Sequence, residues 1–99
     1  MREQWKEFRR FRRKSVILAC VLETSRGNVQ SVALDLSLGG ARVRVQGRVE
    51  PQEQVTLVLA KFGRFPGEIV WRNASEAGLQ FKDSPEEVLL RFGNDIPFD

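Results

Sequence analysis

The chain has 99 residues, 41% of them hydrophobic. That suffices for one globular core and excludes a disordered segment. It has no histidine and one cysteine, Cys20. The usual general base and zinc ligand are therefore missing, an internal disulfide is excluded, and a reducing, cytoplasmic setting is expected. The net charge of +3 is unevenly placed: residues 1–14 hold seven basic and two acidic side chains (+5), whereas 15–99 hold nine basic and eleven acidic ones (−2). Such an asymmetry points to an anionic partner at the N-terminus.

Residues 1–14 form a basic arm, predicted to be flexible. Within it, Trp5-Lys-Glu-Phe-Arg-Arg-Phe-Arg-Arg-Lys14 has three readings. It is a solvated tail, a short membrane-surface helix with a thin apolar face at Trp5 and Phe8, or a phosphate clamp. The clamp follows from Arg9 and Arg13 standing four apart, since guanidinium groups grip phosphate oxygens bidentately. Aromatic residues between the arginines also leave single-stranded nucleic acid open.

The seven-residue apolar run Val16–Leu22 is too short to span a bilayer. It is closed by Glu23 and preceded by Trp5, Phe8 and Phe11, so it reads as a strand rather than a signal peptide. Residues 15–24 lack clean alternation, which predicts a strand buried on both sides. Ser25-Arg26-Gly27-Asn28 is a hairpin turn. Strands are predicted over 29–37 and 40–46, then a loop from Gly47 to Gln52. A fourth strand alternates Val55, Leu57 and Leu59 with Thr56 and Val58. A turn at Lys61-Phe62-Gly63 leads to a fifth strand, 64–72, interrupted near Pro66-Gly67. Asn73 to Glu76 turn into a sixth, 77–82. Short strands at this rhythm predict a mainly β fold, a small six-stranded antiparallel β-barrel (a split barrel) over 15–99. It is completed by a C-terminal helix, 85–92. Ser84-Pro85-Glu86-Glu87 is a capping box with Pro at the first helical position. Val88, Leu89 and Phe92 share a face expected to pack over the barrel mouth, and Gly93 stops the helix. Trp71 is read as core or rim rather than as a platform for the ligand.

The stretch Ala33-Leu-Asp-Leu-Ser-Leu-Gly-Gly-Ala-Arg-Val43 carries the chemistry. Leu34, Leu36 and Leu38 alternate with Asp35 and Ser37, so acid and hydroxyl share the outer face about 7 Å apart. Gly39-Gly40 permits positive φ at the corner. Ala41, Val43 and Val45 then alternate with Arg42 and Arg44. Alone, this is an ordinary hairpin.

Taken together, Arg9-x-x-x-Arg13 before the first strand and Asp35-x-Ser37-x-x-Gly40 across the second and third resemble the PilZ family. Gly67-Glu-Ile-Val-Trp-Arg72 and Ala77-Gly-Leu-Gln-Phe81 look like its closing strand pair. The resemblance runs from about Arg9 to Phe92. It implies a small β-barrel that binds cyclic di-GMP (cyclic diguanylate). On that basis Arg9, Arg10 and Arg13 hold phosphates and guanine edges. Asp35 and Ser37 bond guanine or ribose, or orient the arginines. Gly39 and Gly40 leave room for the ligand and offer backbone. Arg10, Arg12 and Lys14 keep the register open, because Arg10 also stands four before a cation. Phe8 precedes the arginine pair where the family's residue influences how many dinucleotides stack, and leans towards one.

The expected function is thus a cyclic di-GMP receptor whose ordered arm signals to a protein partner. The alternative is a nucleotide-independent adaptor. A nucleic-acid binder is disfavoured because the chain beyond residue 14 is net acidic, so no DNA or RNA partner is expected. Neither is an enzyme, a cofactor, a metal site or a membrane span: no nucleophile has an evident base.

Overall fold

The structure is a computed structural model that describes residues 12–96. The six strands are β1 (Lys14–Thr24), β2 (Gly27–Leu36), β3 (Gly40–Val45), β4 (Gln54–Leu59), β5 (Gly63–Arg72) and β6 (Glu76–Phe81), followed by helix α1 (Pro85–Phe92). They close into a barrel in the order β1-β2-β3-β6-β5-β4, every neighbouring pair antiparallel. The mainly β barrel with one C-terminal helix agrees with the pattern of short strands. Of the N-terminal arm, residues 1–11 lie outside the described residues, and Lys14 already belongs to β1, opposite Leu36.

Alternation builds the core. Val55, Leu57 and Leu59 of β4, Ala41, Val43 and Val45 of β3, and Ala77, Leu79 and Phe81 of β6 face inward and are buried. From β5 come Phe65 and Ile69, from β1 Cys20 and Leu22. Closing the sheet removes the exposed edges that a six-stranded open sheet would present. The closing seam is short, with Val21–Val58, Leu22–Leu57 and Glu23–Thr56 as its pairs. Outside it, Arg64 of β5 grips both carboxylate oxygens of Glu23.

Four expectations need correction. The first strand is not buried on both sides: its inner residues end in buried Cys20 and Leu22, while Ile17 is 84% exposed. The apolar run hid the alternation because the outward positions 17, 19 and 21 are also apolar. In β2 the period of two breaks at Leu34, where the register against β3 shifts between Ala33 and Asp35. A bulge inserts one unpaired residue, so Ala33 and Leu36 face the core and Leu34 does not. On α1, Val88 and Phe92 are buried but Leu89 is 43% exposed. Pro66, in turn, does not interrupt β5. It pairs with Thr56 of β4, lies one residue before the first β5–β6 pair, Gly67–Phe81, and its carbonyl accepts from the Lys82 N–H at 2.9 Å.

The helix begins as its sequence dictates. Ser84 Oγ accepts from the Glu87 N–H at 3.2 Å, and Glu87 Oε1 accepts from the Ser84 N–H at 3.3 Å. Gly93, at φ 58°, donates its N–H to the Leu89 carbonyl and ends the helix. Phe92 plugs one mouth of the barrel, stacked on Phe65 with ring centroids 5.2 Å apart and edge-on to Phe62 at 5.0 Å. Arg91 lies over the Phe65 ring, 4.9 Å from its centroid.

Two outcomes follow from this packing. A Cβ on Gly67 would lie 2.5 Å from the Gln80 carbonyl oxygen and 2.9 Å from Leu79 Cδ1. Gly67→Ala is therefore expected to cost about 1–3 kcal/mol of stability, read by urea denaturation, because a backbone atom must move. Burial pushes the Cys20 thiol up to about 11. Alkylation by iodoacetamide at pH 8 should consequently be at least about tenfold slower in native than in urea-unfolded protein, since the thiolate is the reacting form.

Candidate functional site

Register places one row of residues across the outer wall. Ser15 of β1 lies opposite Asp35 of β2, Asp35 opposite Arg42 of β3, Arg42 opposite Gly78 of β6, and Gly78 opposite Trp71 of β5. Four inter-strand steps run about 19 Å along the curved wall of the barrel. Both the β2 bulge and a second register shift, between Ile69 and Trp71, set the phase of this row. Without the first, Asp35 would point at the core.

Asp35 is the hub. Its Oδ1 accepts from Arg13 Nη1 at 2.6 Å, and its Oδ2 accepts from Arg42 Nε at 2.8 Å. The Asp35 side chain is only 9% exposed, whereas the two arginine side chains remain 38% and 37% exposed. A carboxylate this covered needs charged partners, and each oxygen has one. Arg42 continues the chain, with Nη1 donating to Glu76 Oε1 at 2.9 Å. Its bonds to Asp35 first and Glu76 second raise its pKa further above the usual arginine value, so it stays cationic.

At the far end of the row the Trp71 indole lies over Gly78. A Cβ there would stand 2.0 Å from Nε1 and 2.4 Å from Cε2, so only glycine lets the ring lie down on β6. Trp71 is half-buried, and the Gly78 beneath it is the β6 partner of Arg42. The rim assignment from sequence holds.

Ser37 stands elsewhere than alternation predicts. β2 ends at Leu36, so its phase does not carry on, and Ser37 is fully buried. Its Oγ accepts from the N–H groups of Gly39 and Gly40, both at 3.1 Å, and donates to the Gly40 carbonyl at 3.4 Å. The hydroxyl closes the corner in place of a left-handed residue. Accordingly neither Gly39 nor Gly40 has positive φ; among the described glycines only Gly27, Gly63 and Gly93 do. The Gly39 carbonyl accepts from the Phe81 N–H at 2.9 Å, tying the corner to the end of β6.

The structure thus brings together Arg13 and Asp35 of the predicted set and puts Ser37, Gly39 and Gly40 in the supporting corner. Arg9 and Arg10 lie outside the described residues. Sequence reading missed Arg42 and Glu76 as members of the charged row. Arg42 was legible as outward-facing, but nothing local ties it to a residue 34 positions away. Among the described residues no group of acids and cysteines could hold a metal ion, and no helix is long and apolar enough to cross a membrane.

No curated protein matches the sequence. Among solved structures, the PilZ domain of CeSA from a cellulose-synthesizing bacterium superposes with a TM-score of 0.68 at 20% identity, covering 85% of this chain and 98% of that one. YcgR of Escherichia coli, in complex with c-di-GMP, superposes with a TM-score of 0.59 at 19% identity. That match covers 82% of this chain and 41% of YcgR, so the chain spans about two fifths of YcgR's length. The likenesses show a shared fold. The PilZ domain family profile matches residues 7–93, nearly the whole chain, and the chain belongs to the PilZ domain family.

Proposed function

We propose that this chain is a cytoplasmic receptor for cyclic di-GMP and that it acts by binding rather than catalysis. The observation that carries the reading is the Arg13–Asp35 contact, in which two motifs 22 residues apart meet at 2.6 Å. The complex of YcgR with c-di-GMP supports the ligand class.

The chemistry of the row suits such a molecule. A cyclic dinucleotide carries two phosphate charges and two purines. Arg13 and Arg42 are held by Asp35 with more than a third of each side chain exposed, and guanidinium groups suit phosphate oxygens and the O6 and N7 of guanine. The Trp71 indole supplies a flat surface for a purine, a contact worth about 1–3 kcal/mol per base. Arg9 and Arg10 would close over the other side of the ligand. Asp35 positions arginines in this reading, and Ser37 shapes the corner with Gly39 and Gly40.

Ordering about five residues of the arm costs roughly 5–10 kcal/mol of backbone entropy. Four charge-assisted contacts at about 1.5–3 kcal/mol each return roughly 6–12. The near balance makes closure depend on the ligand, and a closed arm presents a surface to a protein partner that the open arm lacks.

Two measurements test this. Arg13→Ala should weaken binding by about 2–4 kcal/mol in calorimetry, with the barrel still folded by circular dichroism because Arg42 still holds Asp35. Wild-type protein that gives no heat with cyclic di-GMP at about 50 μM, roughly 6 kcal/mol, rejects the receptor reading in favour of a nucleotide-independent adaptor. Amide exchange over residues 8–12 should slow on adding the dinucleotide; equal protection in both states rejects the closing arm.

A further inference from the structure

We infer that Glu76 sets the affinity of this site by competing with the ligand's phosphate for Arg42. The inference rests on the receptor reading above.

Among the described residues, cations and acids alternate along the row. Arg13 and Arg42 face Asp35 and Glu76 in one unbroken chain of ion pairs. A dianionic ligand that reaches for Arg42 therefore meets a guanidinium already held by two carboxylates, Asp35 and Glu76. The two acids are not equivalent. Asp35 is 9% exposed and bonded through both oxygens, whereas Glu76 is 23% exposed and holds Arg42 through one oxygen. Glu76 is thus the carboxylate that an incoming oxyanion can replace at Arg42 Nη1. Asp35 would meanwhile keep its grip on Nε and fix the guanidinium plane.

Among the described residues the Glu76 side chain bonds to Arg42 alone. Its backbone is anchored independently, with its N–H donating to Asn73 Oδ1 at 2.8 Å and its carbonyl accepting from the Asn73 N–H at 2.9 Å. The carboxylate's hydrogen bond goes to Arg42. Glu76→Gln keeps an acceptor at the same place, preserves the shape and removes the negative charge. It leaves Arg42 aimed as before with its charge unopposed on that side.

The experiment is a double-mutant cycle read by calorimetry with cyclic di-GMP in low-salt and 0.15 M salt buffer. Glu76→Gln should tighten binding about three- to tenfold at low salt, with a smaller gain at 0.15 M, where the Debye length is about 8 Å. In an Arg42→Gln background the same substitution should change nothing. Glu50→Gln serves as the control. It removes one equal charge from the exposed Arg48–Glu50 pair, away from the row, and should leave affinity within about twofold. An unchanged or weaker affinity for Glu76→Gln overturns the inference while leaving the receptor reading in place. So does a gain matched by Glu50→Gln, or one that survives in the Arg42→Gln background. Wild-type protein and all variants failing to bind would overturn the receptor reading and this inference together.

Discussion

The nearly buried carboxylate of Asp35 is the constraint on which the outer wall depends. A carboxylate with so little solvent is costly unless charged donors replace its water, and removing a partner from such a group costs more than the pair contributes net. Arg13 and Arg42 supply those donors, one to each oxygen. The same two bonds fix the direction of two guanidinium groups that long flexible side chains would otherwise leave free. The acid is thereby a structural need and a positioning device at once. It also ties the last residues of the N-terminal arm to the barrel wall.

The barrel makes this arrangement possible by register. Strands β1, β2, β3, β6 and β5 are neighbours in that order, so residues distant in sequence fall side by side on one outer row. Bulges adjust the phase. Leu34 takes up the extra position in β2, which turns Asp35 outward while Ala33 and Leu36 both face the core. The Ser37 hydroxyl then closes the β2–β3 corner through Gly39 and Gly40. The far end of the row depends on Gly78, whose missing side chain lets the Trp71 indole lie flat against β6. The helix stays away from this row. Its Phe92 fills a mouth of the barrel against Phe65, and its capping box and glycine stop set its length.

Much of this was legible in the chain itself. Hydrophobic alternation in 40–45, 54–59 and 76–81 marks strands because a one-sided wall buries every second residue. Ser84-Pro85-Glu86-Glu87 marks the helix start because capping is a local hydrogen-bond problem solved within four residues. Arg13 and Asp35 were recognisable as members of paired motifs. Less legible were features where neighbouring residues look alike. The apolar outward positions of β1 concealed its solvent-facing side, and the bulge at Leu34 broke a pattern that assumes unbroken pairing.

Local order, then, came from the amino-acid sequence: six strands, one capped helix, a basic arm and two motifs whose company points to an anionic ligand. These follow from periodicity and short-range hydrogen bonding, which operate between residues a few positions apart. Only the tertiary structure decided that Arg42 and Glu76 join Asp35, that Ser37 serves the corner, and that Trp71 lies on Gly78 at the end of the same row. Those relations depend on which strands become neighbours and in what register. Barrel closure fixes that for the chain as a whole, and no single segment encodes it.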